Sequence, residues 1–156
     1  MKLYDLPASP NARRVRIFIA EKDLQIPMVP IDMISGENRK SEYLAKNSLG
    51  RMPLLELDDG TCIAESIAIC RYLESEFPSP PLFGSSGVEQ AIIEMWQRRM
   101  EFLLLNPMIN IFRHTHEMWK DRMTQIPQVA EIESEDVKEK MIWLDAELKG
   151  KQYIAG

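Results

Sequence analysis

Arg51-Met52-Pro53-Leu54-Leu55-Glu56-Leu57, closed by Asp58-Asp59-Gly60 and answered by Thr61-Cys62-Ile63-Ala64-Glu65-Ser66-Ile67-Ala68-Ile69, is the stretch that decides the fold. Leu54 to Leu57 is short and apolar-rich, Asp59-Gly60 supplies the positive-φ chemistry of a tight turn, and Thr61 to Ala64 returns as a partner strand. The stretch is therefore a β-hairpin that runs into a helix. Ser66 stands just before the apolar-periodic run Ile67, Ile69, Cys70 and Leu73, where a serine serves as N-cap and free backbone N–H groups attract a carboxylate. Glu65 beside it is suited to accept an ammonium group. A proline at a strand start removes a backbone donor and admits the cis form, so Pro53 leaves the Met52 backbone free to bond an extended ligand. Taken together, these residues describe a small site for a peptide-like zwitterion.

Working towards the N-terminus, Ser35 to Lys46 is polar and reads as a loop with a short exposed helix. Val29, Ile31 and Met33 alternate, which makes Met28 to Met33 a strand. Ser9-Pro10 gives an N-cap followed by proline at the first helical position, and Val15, Phe18 and Ile19 share one face of a helix from Pro10 to Lys22. Lys2 to Leu6 is the first strand. A strand, helix and parallel strand in this order form a right-handed βαβ unit. The hairpin and its helix complete a βαβαββα order over residues 1–77.

Beyond Phe77 the texture changes. Residues 78–87 contain Pro78, Pro80 and Pro81 and end in small polar residues, which is the composition of a linker. Residues 88–156 carry only helical periodicity. One helix is expected from Val88 to about Lys120, bent at Pro107, where a mid-helix proline removes a backbone bond. A second is expected from Pro127 to Leu148, with Val137, Met141, Leu144 and Leu148 on one side and Gly150 as its stop. Two helices make a poor domain, because each apolar stripe needs a partner.

Composition narrows the function. With 156 residues, 45% hydrophobic and 28% charged, the chain has enough apolar material to bury a core. No basic-then-apolar leader opens it and no apolar run approaches the ~20 residues of a membrane span, so a cytoplasmic location is expected. A net charge of −5 argues against nucleic acid, which a basic surface must neutralise. Cys62 and Cys70 lie in an apolar strand and on an apolar helix face, as buried free thiols do, and their spacing is not that of a redox pair. His114 and His116 are two residues apart on a helix and cannot share a face as zinc ligands do; no metal is expected.

With the N-terminus included, Met52, Pro53, Glu65 and Ser66 resemble the glutathione-binding domain of the cytosolic glutathione transferases, of a bacterial-like serine type. Similarity extends through Asn47-Ser48-Leu49-Gly50-Arg51-Met52-Pro53, although the family usually has proline at the position of Ser48. The resemblance implies a thioredoxin-like N-terminal domain followed by an all-α C-terminal domain. In the family that second domain continues past the equivalent of Tyr153-Ile154-Ala155-Gly156 into further helices. The helical part is accordingly expected to be incomplete here, or covered by another subunit.

The resemblance also implies roles. Met52, Pro53, Glu65 and Ser66 would hold glutathione, and the glycine carboxylate would meet Asn38, Arg39 or Lys40, a choice left open. A thiol of pKa about 8.5 is mostly protonated at neutral pH, so catalysis needs a group that favours the thiolate. Serine-dependent members place a serine six residues before a helix valine, an offset that Ser9 and Val15 keep. Ser9 would donate to the thiolate at a helix N-terminus. Asn11 would assist by donating to the sulfur or fixing Ser9, and Arg14 is a further candidate for that support.

Other classes use a tyrosine near the end of the first strand, which makes Tyr4 the rival to Ser9, although a strand tyrosine here is expected to pack inward. Cysteine-using members carry a cysteine near this position, where this chain has Ser9 and Pro10, so mixed-disulfide chemistry is disfavoured. The electrophile would meet the long helix, which offers Met100, Leu104, Met108, Ile111, Arg113, His114 and Trp119. The implied function is conjugation of glutathione to an apolar electrophile by a homodimer, with glutathione as co-substrate and no other cofactor. The alternative is a non-catalytic transferase-like scaffold.

Overall fold

The computed structural model describes residues 1–155 and falls into two compact units, Met1–Leu82 and a second beginning at Phe83. In the first unit β1 (Lys2–Asp5), α1 (Pro10–Glu21), β2 (Met28–Pro30), α2 (Ser41–Leu44), β3 (Leu54–Glu56), β4 (Cys62–Ala64) and α3 (Ser66–Glu76) follow the expected βαβαββα order. The sheet runs β2-β1-β3-β4, with β1 and β2 parallel and the other two pairs antiparallel. This is the thioredoxin-like arrangement.

Alternation along the strands sorts the core into two faces. Tyr4 pairs with Leu54, and both belong to a buried cluster with Ile31 and Tyr43, against which Val29, Met52, Cys62 and Ala64 pack. Tyr43 supplies the buried side of α2, so this short helix is anchored rather than exposed as expected. Leu3 and Leu55, paired with each other, point the opposite way and are fully buried. Ala12, Val15, Phe18 and Ile19 of α1 and Ile69, Cys70 and Leu73 of α3 are the buried positions of the two helices, which pack together. Removing a buried leucine such as Leu3 or Leu55 costs about 2–5 kcal/mol.

Strand ends fall short of the sequence expectation for local reasons. β2 stops at Pro30 because proline offers no donor and Asp32 follows, its Oδ1 accepting the amides of Ile34 (2.9 Å) and Ser35 (3.1 Å). Those bonds hold the Asp32 carboxyl below its ordinary range. At the far end of α1 the wholly buried Lys22 ammonium donates to the carbonyls of Phe77 (2.6 Å) and Pro80 (2.7 Å). It thereby ties the helix to the segment that follows α3.

The second unit is helical. α4 (Gly87–Met100) begins at a capping box in which Ser86 and Glu89 exchange bonds. A π-helical turn over Glu101–Leu105 leads directly into α5 (Asn106–Thr115). The single bent helix expected from Val88 to Lys120 is thus two helices. Its irregularity lies one turn ahead of Pro107, where the Asn106 amide reaches back five residues to the Glu101 carbonyl.

α5 ends at Thr115 because side chains take over its last polar groups. Gln125 donates to the carbonyls of Arg113 (2.9 Å) and His116 (2.8 Å). Nδ1 of His114 accepts from the Ile126 amide (3.1 Å), and Nδ1 of His116 accepts from Met118 (3.2 Å). Both histidines are therefore local caps. α6 (Pro127–Leu148) has the extent that the periodicity predicts, packs on α5, and is followed by Gly150 at φ 77°. Trp143 of α6 stacks on Trp96 of α4 with centroids 5.9 Å apart, and the Arg99 guanidinium lies against both rings. Gly156, the last residue of the Tyr153-to-Gly156 segment singled out from sequence, lies outside the described residues. No helix among the described residues is long and apolar enough to cross a membrane.

Candidate active site

Strand register brings three chain segments to one end of the sheet. Leu54, which opens β3, faces Tyr4 near the end of β1 and Ala64 at the end of β4. Pro53 and Met52 just before Leu54, the Leu6-to-Ser9 turn just after β1, and Glu65-Ser66 just after β4 consequently gather at that end. Each candidate for glutathione except those of the Asn38–Lys40 turn sits within a few residues of this edge, while the electrophile candidates Met100 to Trp119 belong to the second unit.

The first segment is fixed by an ion pair. Buried Asp5 accepts from Arg16 Nη1 at 2.5 Å, and the same guanidinium donates to the Pro7 carbonyl at 2.9 Å. Arg16 sits on α1, so the β1–α1 turn is strapped to the helix it feeds. Ser9 is the N-cap of α1, half-buried, and its Oγ accepts weakly from the Ala12 amide at 3.4 Å. An acceptor role towards Ala12 leaves the hydroxyl proton for another partner. Tyr4 is directed elsewhere: its hydroxyl donates to Glu56 Oε2 at 2.7 Å, and its ring meets Tyr43 edge-on.

The second segment is braced from behind. The Arg51 carbonyl accepts from the Tyr43 hydroxyl and from Asn47 Nδ2, each at 2.8 Å. The Met52–Pro53 bond that follows is cis, Pro53 is buried, and Met52 has no hydrogen bond among the described residues. Asn38 is buried and donates to the Gly50 carbonyl at 2.7 Å, while Arg39 and Lys40 are exposed. Gly50 has φ 63°, and a Cβ on it would stand 2.7 Å from the Asn38 carbonyl oxygen. Only glycine lets the Asn38–Lys40 turn lie this close to the chain leading into Met52.

The third segment departs from the sequence expectation. Ser66 is the first residue of α3 and not its N-cap; Glu65 holds the cap position, with φ 66° and ψ 118° and no side-chain capping bond. The serine oxygen is engaged differently, accepting from Arg14 Nη1 at 2.6 Å. The same nitrogen donates to Asn11 Oδ1 at 3.0 Å. Arg14 thus joins the first turn of α1 to the first residue of α3. A positive φ on a non-glycine residue costs about 1–3 kcal/mol and persists where the surroundings dictate it. Glu65 is exposed, so its carboxylate faces solvent at the same edge as Ser66.

The Arg14–Ser66 contact has no local signal in the sequence. The two residues are 52 positions apart, and only the helical spacing of Asn11 and Arg14 hinted that the pair would meet. One turn into α3, burial pushes the Cys70 thiol up to about 12, with the Arg14 charge pulling the other way. The Cys70 sulfur is therefore a packing atom at neutral pH. Among the described residues no group of His, Cys, Asp and Glu is arranged to hold a metal ion.

A thioredoxin-like sheet with a cis-proline loop at β3 and an acidic residue and a serine opening the third helix is the arrangement of the class that the sequence resembles. The sequence profile of the glutathione S-transferase N-terminal domain matches residues 3–81. Glutathione S-transferase 2 of Saccharomyces cerevisiae is 36% identical over the whole of this chain, which spans 69% of the yeast protein. A maleylacetoacetate isomerase of Pseudomonas aeruginosa is 41% identical over 58% of the chain and 44% of its own length.

Crystal structures agree. A glutathione S-transferase domain-containing protein of Marinobacter aquaeolei superposes with a TM-score of 0.92 at 37% identity, covering all of this chain and 78% of its own. The yeast transferase Gtt2 superposes at 0.91 with 36% identity, over all of this chain and 77% of its own. This chain belongs to the glutathione S-transferase family. It is by that membership a glutathione transferase.

Proposed function

We propose that this protein binds glutathione at the sheet end formed by Ser9, Met52-Pro53 and Glu65-Ser66 and activates its thiol as the thiolate for conjugation to an apolar electrophile. The observation that carries this reading is the strand register, which draws an N-capping serine, an unbonded Met52 backbone and a strained glutamate to one edge. Glutathione is a tripeptide with an ammonium and two carboxylates. Its glutamyl ammonium would pair with Glu65, its glutamyl carboxylate would accept from Ser66 at the positive end of α3, and its backbone would bond Met52 beside Pro53. Exposed Arg39 and Lys40 offer the glycine carboxylate a cationic partner, while the Asn38 amide is committed to Gly50.

Ser9 is the group we assign to the sulfur. Its oxygen already accepts from Ala12, its proton is available, and the α1 dipole acts in the same sense as the donated bond. Asn11, two residues on, adds a second donor. Rate would come from holding thiolate and electrophile together and from stabilising the anion, with glutathione as co-substrate and no metal in the chemistry. A homodimer in the cytoplasm is the setting that family membership suggests.

Retention on immobilised glutathione and conjugation of a chloronitroarene test the proposal. Wild-type protein is expected to do both, and Ser9→Ala is expected to lose about 10–100-fold in kcat, the worth of a hydrogen bond to a charged group, while still being retained. Retention without turnover in the wild type would make the protein a transferase-like scaffold. Failure of wild-type protein to bind glutathione would remove the site assignment altogether.

A further inference from the structure

We infer that Arg14 is a positioning residue that presets Asn11 and Ser66 as proton donors towards the two anionic ends of bound glutathione, its thiolate and its glutamyl carboxylate. This rests on the glutathione site proposed above. A guanidinium only donates, so whatever it touches must present an acceptor. Arg14 Nη1 meets Oδ1 of Asn11 at 3.0 Å and Oγ of Ser66 at 2.6 Å.

The consequence for Asn11 is a fixed amide. With its oxygen held against Arg14, its NH2 group points away from the guanidinium, and the flip that would present oxygen to a ligand is closed. For Ser66 the consequence concerns the hydroxyl rotor. One lone pair is occupied by Arg14, so the proton is directed away from the cation and is delivered to whatever anion stands at the start of α3. A donor whose oxygen accepts a charge-assisted bond is itself polarised and donates more strongly.

Ser66 is buried and Asn11 and Arg14 are half-buried, so these bonds form in surroundings less screened than bulk water. The first turn of α1 and the first residue of α3 are thereby set by one side chain before any ligand arrives. Preorganisation of this kind lowers the ordering cost of binding.

The test is a set of double-mutant cycles in the full chain, reading KM for glutathione and kcat with a chloronitroarene. Arg14→Met is expected to raise KM about tenfold and lower kcat about tenfold. In the Ser66→Ala background the KM effect of Arg14→Met should shrink to less than twofold, and in the Asn11→Ala background its kcat effect should shrink likewise. A residue that only supports the fold would give effects that multiply, so full additivity in both cycles overturns the inference, as does an Arg14→Met enzyme within twofold of wild type.

Should the methionine variant not fold, Arg14→Lys supplies the reading. Its single ammonium keeps the charge but is not expected to serve both oxygens, and KM should rise at least threefold with an unchanged melting temperature. An unchanged KM overturns the proposal. Wild-type binding separates the two levels: if wild-type protein does not bind glutathione the parent assignment fails, and if it binds while the cycles are additive only the role of Arg14 fails.

Discussion

The hydroxyl of Tyr4 donates to Glu56 Oε2 at 2.7 Å, across the pair of antiparallel strands that the two residues occupy. This bond engages the Tyr4 hydroxyl, which leaves Ser9 as the proposed thiolate partner. Tyr4→Phe is accordingly expected to keep kcat for conjugation within about twofold, while costing about 1.5–3 kcal/mol of stability for the lost bond to a charged group. Steady-state kinetics and urea unfolding on one preparation check both halves. A large loss of kcat in a well-folded Tyr4→Phe enzyme would move the thiolate partner from Ser9 to Tyr4.

Glu56 also makes an acid-stability prediction. Lys46 donates to its Oε2 at 2.6 Å, and this bond, followed by the Tyr4 bond, lowers the carboxyl to about 2 from the usual 4.5. Because the folded state holds the carboxylate more firmly than the unfolded chain does, the contribution is fully present above about pH 4.5 and is lost as pH falls towards about 2. Glu56→Gln should flatten that limb of a stability-versus-pH profile measured by thermal melting between pH 2 and 5. A profile as steep as wild type would show that other carboxylates carry the acid transition.

Lys22 and Glu74 form the most deeply buried ion pair described in the chain, with Nζ 2.7 Å from Oε2. Lys22→Met removes the ammonium that Glu74 and two backbone carbonyls share, a loss of about 3–5 kcal/mol for taking one partner out of a buried ion pair. Denaturant unfolding of the isolated variant measures it. Pairing Lys22→Met with Glu74→Gln should recover part of that loss, since the carboxylate charge that faced the ammonium is then gone; no recovery would mean that the carbonyls of Phe77 and Pro80 dominate.

The two thiols should differ in reactivity. Cys62 is half-buried on β4, whereas Cys70 is buried and its thiol is raised to about 12. Titration with an aromatic disulfide reagent in native buffer should show one fast thiol, and the second should appear at the rate of unfolding. Two fast thiols would mean that α3 opens readily at the base of the proposed site.

Much of the N-terminal unit was legible in advance because its signals are local. Asp59-Gly60 between two apolar runs announces the hairpin, Ser9-Pro10 announces the start of α1, and the three-and-four spacing of Val15, Phe18 and Ile19 identifies its buried face. Errors came where a distant partner overrode a local preference. Ser66 has the chemistry of an N-cap, yet Arg14, 52 residues earlier in the chain, takes its oxygen and the helix begins at the serine itself.

The same cause split the long helix of the second unit. Pro107 suggested a bend at its own position, but the missing donor is absorbed one turn upstream by the π-helical turn, and Gln125 from the following loop terminates α5 at Thr115. Periodicity reports which side of a helix is apolar. It does not report where a side chain from another segment will stop it.

The backbone of Glu65, at φ 66° and ψ 118°, lies where glycine sits at ease and other residues do not. Backbone strain alone favours replacing it, and in the proposed site the opposing gain is the pairing of its carboxylate with the glutamyl ammonium. On that assignment position 65 trades sturdiness for recognition: a chain relieved of holding the tripeptide could let this residue relax to glycine or asparagine and gain stability.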